Sequence, residues 1–129
     1  MKSIKKIVLV AVVLFSTQLF SQTQPSVYAV VSKAKWCPTC IKNEARVGSE
    51  VMPKVDMTKV AVLMNDLSDK TTKEASAQIL NENGLGKLKF KSTGVISFVD
   101  AKTKKVISTI SVAKSSKEII EAFSKVSSL

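Results

Sequence analysis

Apolar and polar positions alternate in blocks along the chain, and the blocks have two periods. Val27 to Ser32 (VYAVVS) is a short β-branched run without a charge, which predicts a buried strand. A helix is expected to begin at the CPTC segment and run towards Met52, with Ile41, Ala45, Gly48 and Met52 on one face and Pro53 as its stop. Val60 to Asn65 (VAVLMN) predicts a second buried strand. Thr71 is expected to open a second helix, with Glu74 three residues on as the other half of a capping box and Asn83-Gly84 as its end. Val95 to Asp100 (VISFVD) predicts a third strand. Ala101 to Lys105 forms a polar turn into a fourth, Val106 to Val112. Ser115 and Glu118 make a capping box for a last helix, whose apolar face is Ile119, Phe123 and Val126.

The predicted order is β-α-β-α-β-β-α, an α/β fold. Strand–helix–strand units favour parallel pairing, because the helix supplies the crossover. The short turn near Lys102 favours an antiparallel hairpin. A mixed four-stranded sheet with helices on both faces satisfies both demands. No repeat or low-complexity segment interrupts it. Gly84 and Gly86 follow a helix, whereas a dinucleotide-binding fingerprint would precede one.

The N-terminus lies outside this pattern. Lys2, Lys5 and Lys6 precede an uncharged apolar run from Ile7 to Phe15, and small and polar residues follow. That is the layout of a secretory signal peptide. Residues 1–21 are read as the signal, with cleavage after Ser21, and residues 22–129 as one exported domain, periplasmic or secreted. Leu19 fits the cleavage rule poorly. The competing reading is a retained anchor, for which the apolar run is about half the roughly 20 residues a span needs.

Composition narrows the chemistry. The 129 residues suffice for one domain. There is no histidine, which excludes Ser-His-Asp and Cys-His hydrolases and imidazole-bound zinc. Two cysteines are too few for a four-thiolate metal site or an ordinary iron–sulfur cluster. No cofactor and no metal site is expected. The net charge is +10, from 20 basic and 10 acidic residues; without the three signal lysines, 17 basic residues leave +7. The lysines form small groups, at Lys33 and Lys35, at Lys87, Lys89 and Lys91, and at Lys102, Lys104 and Lys105. Aromatic residues are only 5% of the chain, so a nucleic-acid surface that stacks bases is not expected. Weak steering of acidic partners is.

The candidate chemistry is Trp36-Cys37-Pro38-Thr39-Cys40. The spacing puts two sulfurs within disulfide reach where a strand turns into a helix. Cys37 would lie at the helix N-terminus, where free N–H groups and the macrodipole favour a thiolate. Pro38 costs little in the first helical turn, because its missing N–H would have had no partner there. Lys33 and Lys35 add positive potential. Cys40, one turn further in, is placed to attack a mixed disulfide on Cys37, so the pair supplies a nucleophile and a resolving thiol. A structural staple is a weaker reading, since so short a loop restricts the unfolded chain little. Half of a Cu(I) site is weaker still.

With its motif after the first strand and its element order, the chain from about Val27 to Leu129 resembles the thioredoxin superfamily. The resemblance implies an exposed nucleophile at Cys37, a buried resolving Cys40, and substrate contacts at Trp36, Pro38, Thr39, Thr93 and Gly94. Against the thioredoxin pattern, Pro38-Thr39 replaces Gly-Pro between the cysteines. Val31 stands where thioredoxin has a buried Asp, and Val62 where it has a Lys. Gly94 stands where it has a cis-proline; a cis bond before a non-proline residue costs about 2.5–4 kcal/mol, so Thr93-Gly94 is expected to be trans. The function expected is thiol–disulfide exchange with exported proteins or a redox partner, by a monomer without membrane contact in its mature form. The alternatives are a redox-inactive thioredoxin-like binding module and a Cu(I) carrier.

Overall fold

The computed structural model describes residues 24–129; the expected signal and its cleavage point lie outside them. Four strands form one mixed sheet: β1 (Val27–Lys33), β2 (Val60–Asp66), β3 (Val95–Asp100) and β4 (Val106–Ser111), in the order β2-β1-β3-β4. β1 runs parallel to β2, with Val27 opposite Val60 and Lys33 opposite Asp66. It runs antiparallel to β3, which pairs antiparallel with β4. Three α-helices complete the domain: α1 (Pro38–Arg46), α2 (Lys70–Glu82) and α3 (Ser116–Ser127). This is the expected architecture, with the strands where the apolar runs place them, except that β2, expected to be buried, is an edge strand buried only at Val60 and Asn65.

The alternating side chains of β1 separate two cores. Val27 and Ala29 face Val47 and Val51 beyond α1 and Ile119, Phe123 and Val126 of α3. Phe98 of β3 meets Phe123 edge to face at 4.9 Å between ring centroids. On the other face, Tyr28 and Val30 pack with Val99, Leu80 of α2 and Leu85. In α3, Ser115 and Glu118 form the expected capping box and Ile119, Phe123 and Val126 are buried.

Two helix readings need correction. The buried face of α1 and the turns after it is Cys40, Asn43, Val47 and Val51, not the Ile41 face; Ile41 is 64% exposed. The disulfide holds Cys40 inward, and the next residue lies about 100° further round a helix. Asn43 can be buried because its polar atoms are bonded. A π-helical turn at Val47–Val51 and a 3-10 turn at Met52–Lys54 follow α1. α2 is capped by Asp69 and Thr72 rather than by Thr71 and Glu74: Asp69 accepts from the Thr72 N–H at 2.9 Å, and the Asp69 N–H donates to Thr72 Oγ1 at 3.0 Å. An aspartate is the better N-cap, since its carboxylate also meets the positive helix end.

Candidate active site

β1 ends at Lys33, and the turn Ala34-Lys35-Trp36 delivers Cys37 to the start of α1. Two bonds fix this turn to the end of β2: Leu67 N–H donates to the Lys33 carbonyl at 2.8 Å, and Lys35 N–H to Ser68 Oγ at 2.8 Å. Cys37 is the N-cap of α1 with extended backbone, and Pro38 stands in the first turn. The Cys37 Sγ accepts the Cys40 N–H at 3.2 Å. Cys37 and Cys40 form a disulfide, with their Cα atoms 5.3 Å apart. The sulfur at position 37 thus occupies the place where a capping oxygen would sit, and the helix end stabilises negative charge there.

Cys37 is not the exposed member of the pair. It is 4% exposed and Cys40 8%, both packed with Ala34 and Leu67. The difference lies in what each sulfur faces. Gly94 lies beside Cys37: a Cβ at position 94 would be 3.7 Å from Cys37 Sγ and 3.3 Å from Thr39 Cγ2. Cys40 instead lines an apolar cleft of about 220 Å³ between α1 and the sheet. Around the disulfide, Trp36 is 61% exposed and Pro38 is also exposed, while Thr39 and Thr93 are half-buried. Trp36, Pro38, Thr39 and Gly94 therefore surround one sulfur pair, and Thr93 adjoins it through Gly94.

The Thr93-Gly94 peptide is trans, and Gly94 has φ +75°. Its N–H donates to the Ser32 carbonyl at 2.8 Å, and its carbonyl accepts from Val112 N–H at 2.9 Å. The left-handed backbone suits glycine, and both polar groups of the peptide are used.

Val31 and Val62 line the cleft behind Cys40 together with Val47, Met52 and Met64. No ionisable group stands at either valine. The charged residues of the cleft are Lys33 and Glu44, paired at 3.1 Å. Asp66, at the end of β2, lies below the usual carboxylate range because the Ser68 hydroxyl and N–H bond it and Lys33 and Lys35 are near, against an opposing effect of burial.

Sequence reasoning missed Asn43 and Arg46. Asn43 Nδ2 donates to the Thr39 carbonyl at 2.8 Å, and Arg46 donates to Asn43 Oδ1 at 3.0 Å. Arg46 also donates to the carbonyls of Val112 and Lys114 at 2.8 and 2.9 Å and to Ser116 Oγ at 2.7 Å. Arg46 is the chain's one arginine, a signal that was present in the sequence.

Comparison with protein-family models finds no match, and comparison with curated proteins finds none. Solved structures do match. A thioredoxin of Malassezia sympodialis aligns at TM-score 0.51 and 18% identity, over 82% of this chain and 81% of its own. A protein titled Trxlp from Edwardsiella tarda aligns at TM-score 0.49 and 14% identity, over 79% and 85%. A Fasciola hepatica thioredoxin aligns at 0.49 and 15%, over 84% and 88%. At such identities the likeness concerns the fold, and the Malassezia thioredoxin carries it. The architecture is a thioredoxin-like fold, with the Cys37–Cys40 disulfide at the start of its first helix.

Proposed function

We propose that the protein is an exported thiol–disulfide oxidoreductase, exchanging disulfides with other exported proteins or with a dedicated redox partner. The observation that carries the reading is the Cys37–Cys40 disulfide with Cys37 as helix N-cap, its sulfur accepting an N–H bond and facing a glycine loop. Export rests on the charged and apolar pattern of residues 1–21.

Cys37 is the attacking sulfur. In the reductive direction its thiolate attacks a substrate disulfide, one substrate thiolate leaves, and a mixed disulfide forms. The Cys40 thiolate then attacks Cys37 Sγ, the second substrate thiolate leaves, and two electrons have passed to the substrate. Oxidation of a substrate dithiol is the same sequence reversed. The helix N-terminus favours Cys37 as thiolate in either direction, both as nucleophile and as leaving group. Trp36, Pro38, Thr39 and Thr93 supply the docking surface, and Gly94 leaves space beside the sulfur. A redox titration of the purified protein in glutathione buffers tests the reading. A single two-electron dithiol–disulfide equilibrium is expected. A disulfide that resists glutathione throughout, under native conditions, would make it structural.

A further inference from the structure

A second cleft lies on the opposite face of the sheet, where α2 does not reach. It measures about 290 Å³ and is roofed by the irregular segment from Leu88 to Ser92. Its floor breaks the apolar pattern of that face. Asn65, Ser32, Ser97 and Thr109 form a row across all four strands: Ser32 pairs with Asn65, Ser97 pairs with Thr109, and Ser32 and Ser97 are diagonal neighbours on β1 and β3. Ser32 is 1% exposed and Ser97 5%. Ser32 Oγ accepts from Asn65 Nδ2 at 3.0 Å, which leaves its own proton to donate. The Ser97 hydroxyl has no partner among the described residues. No enclosed side-chain polar atom among them lacks a partner, so this hydroxyl opens into the cleft.

Beside the apolar Leu88, Phe90, Val95 and Val106, two lysines stand in the lining. In the roof segment Leu88 and Phe90 turn inward onto the core, and Lys87, Lys89 and Lys91 alternate outward, Lys89 and Lys91 lining the cleft. Neither the stretch from Leu85 to Gly94 nor β4 contains an acidic residue. Among the described residues the one ion pair is Lys33–Glu44, so none of these three lysines is neutralised. Two hydroxyl donors at the base and two ammonium groups at the wall match a carboxylate, which accepts and does not donate.

The loop that lines the cleft also reaches the disulfide. Ser92 lines the cleft, and Gly94, two residues on, stands beside Cys37 Sγ. We propose that the cleft receives an acidic side chain of the protein partner, located two to four residues from the cysteine that exchanges with Cys37. From Gly94, beside Cys37, to Ser92, in the cleft, is two residues, about 7 Å of extended chain, which two to four partner residues at about 3.3 Å each can span. This inference rests on the exchange activity proposed above, and adds a preference to it.

Two synthetic peptides test it, identical except that one carries Glu-Asp and the other Gln-Asn three residues from a cysteine. With the full chain at low salt, the acidic peptide should exchange at least about 10-fold faster, and the advantage should shrink at high salt. Lys89→Ser with Lys91→Ser should reduce the advantage to about 2-fold while leaving the neutral peptide's rate unchanged. Ser97→Ala should reduce it as well, which diffuse surface charge would not explain. Equal rates for the two peptides would overturn the inference and leave the exchange activity standing. A preference lost in the lysine variant but intact in Ser97→Ala would overturn the cleft as its seat. If neither peptide exchanges, the oxidoreductase reading fails, and nuclear magnetic resonance titration of the oxidised protein with a cysteine-free acidic peptide decides this inference separately. Shifts at Ser97, Thr109 and Lys91 support it, and their absence overturns it.

Discussion

Replacing Gly94 by proline should harm this protein, although proline is what the thioredoxin pattern places there. Gly94 has φ +75°, whereas proline holds φ near −65°, a rotation of roughly 140°. The Gly94 N–H bonds the Ser32 carbonyl at 2.8 Å, and proline has no N–H. Ser32 is 1% exposed, so its carbonyl would be left without a partner in a dry place, at about 1–3 kcal/mol. Forcing the backbone out of its conformation adds about as much again. Gly94→Ala isolates one part of this. It keeps the N–H but places a left-handed alanine at about 1–2 kcal/mol, with its Cβ 3.3 Å from Thr39 Cγ2. Urea unfolding of the oxidised proteins should therefore rank parent, alanine, proline in falling stability. The alanine variant should lose about 1–3 kcal/mol and the proline variant about 3–5 kcal/mol. A proline variant as stable as the parent, with an unchanged denaturant slope, would refute the reasoning.

Cys40→Ser should accumulate mixed disulfides with partner proteins, visible on non-reducing gels, and Cys37→Ser should not; equal trapping by both would remove the assigned roles. Arg46→Ala should destabilise by about 2–4 kcal/mol, because charged hydrogen bonds are lost and the Val112 and Lys114 carbonyls lose a donor; Arg46→Lys should recover little, since one ammonium cannot reach all the acceptors. Denaturant midpoints of the oxidised protein should be level from about pH 5 to 8, as the chain has no histidine to titrate there. Below about pH 4 they should fall: hydrogen bonds hold Asp56, Asp66, Asp100 and Glu118 below the usual range, so their stabilisation is complete above the unfolded pKa values and is lost as pH drops through the folded ones. A step between pH 5.5 and 7.5 would contradict this.

The strands were legible because each is a short run, mostly apolar and without a charge before its last residue, bounded by polar turns, and the fold order followed from them. The capping box of α3 was legible because Ser115 and Glu118 are three residues apart and bond each other alone. The first helix was misread because its buried face includes Asn43, a residue whose burial depends on partners elsewhere. At α2, two overlapping pairs both had capping spacing, and the stronger N-cap, Asp69, won. Gly94 could be placed near the disulfide only through the resemblance to thioredoxin, whose proline position it holds, and the burial of Cys37 could not be foreseen. Its walls come from Ala34, Leu67 and Gly94, which belong to separate segments. Arg46 meets acceptors 66 to 70 residues away, beyond any local pattern.

Those long-range bonds give the site its geometry. The Thr39 carbonyl, between the two cysteines, accepts from Asn43, and Asn43 accepts from Arg46. Arg46 donates to the Val112 carbonyl, the Val112 N–H donates to Gly94, and the Gly94 N–H donates to Ser32 on β1. β1 leads through the turn back to Cys37, so the circuit closes around the disulfide. It ties the helix that carries the sulfurs to the loop that faces them, through the turn between β4 and α3. None of these bonds involves a sulfur, so all of them can persist when the disulfide opens. Thiol exchange requires reacting sulfurs held in line, and effective orientation is worth most when no ordering is left for the reaction step. The valines at 31 and 62 contribute no charge to the cleft behind Cys40. The valines leave the backbone as the nearest source of field at the pair: the helix end, the Cys40 N–H on Cys37 Sγ, and a frame that keeps both in place.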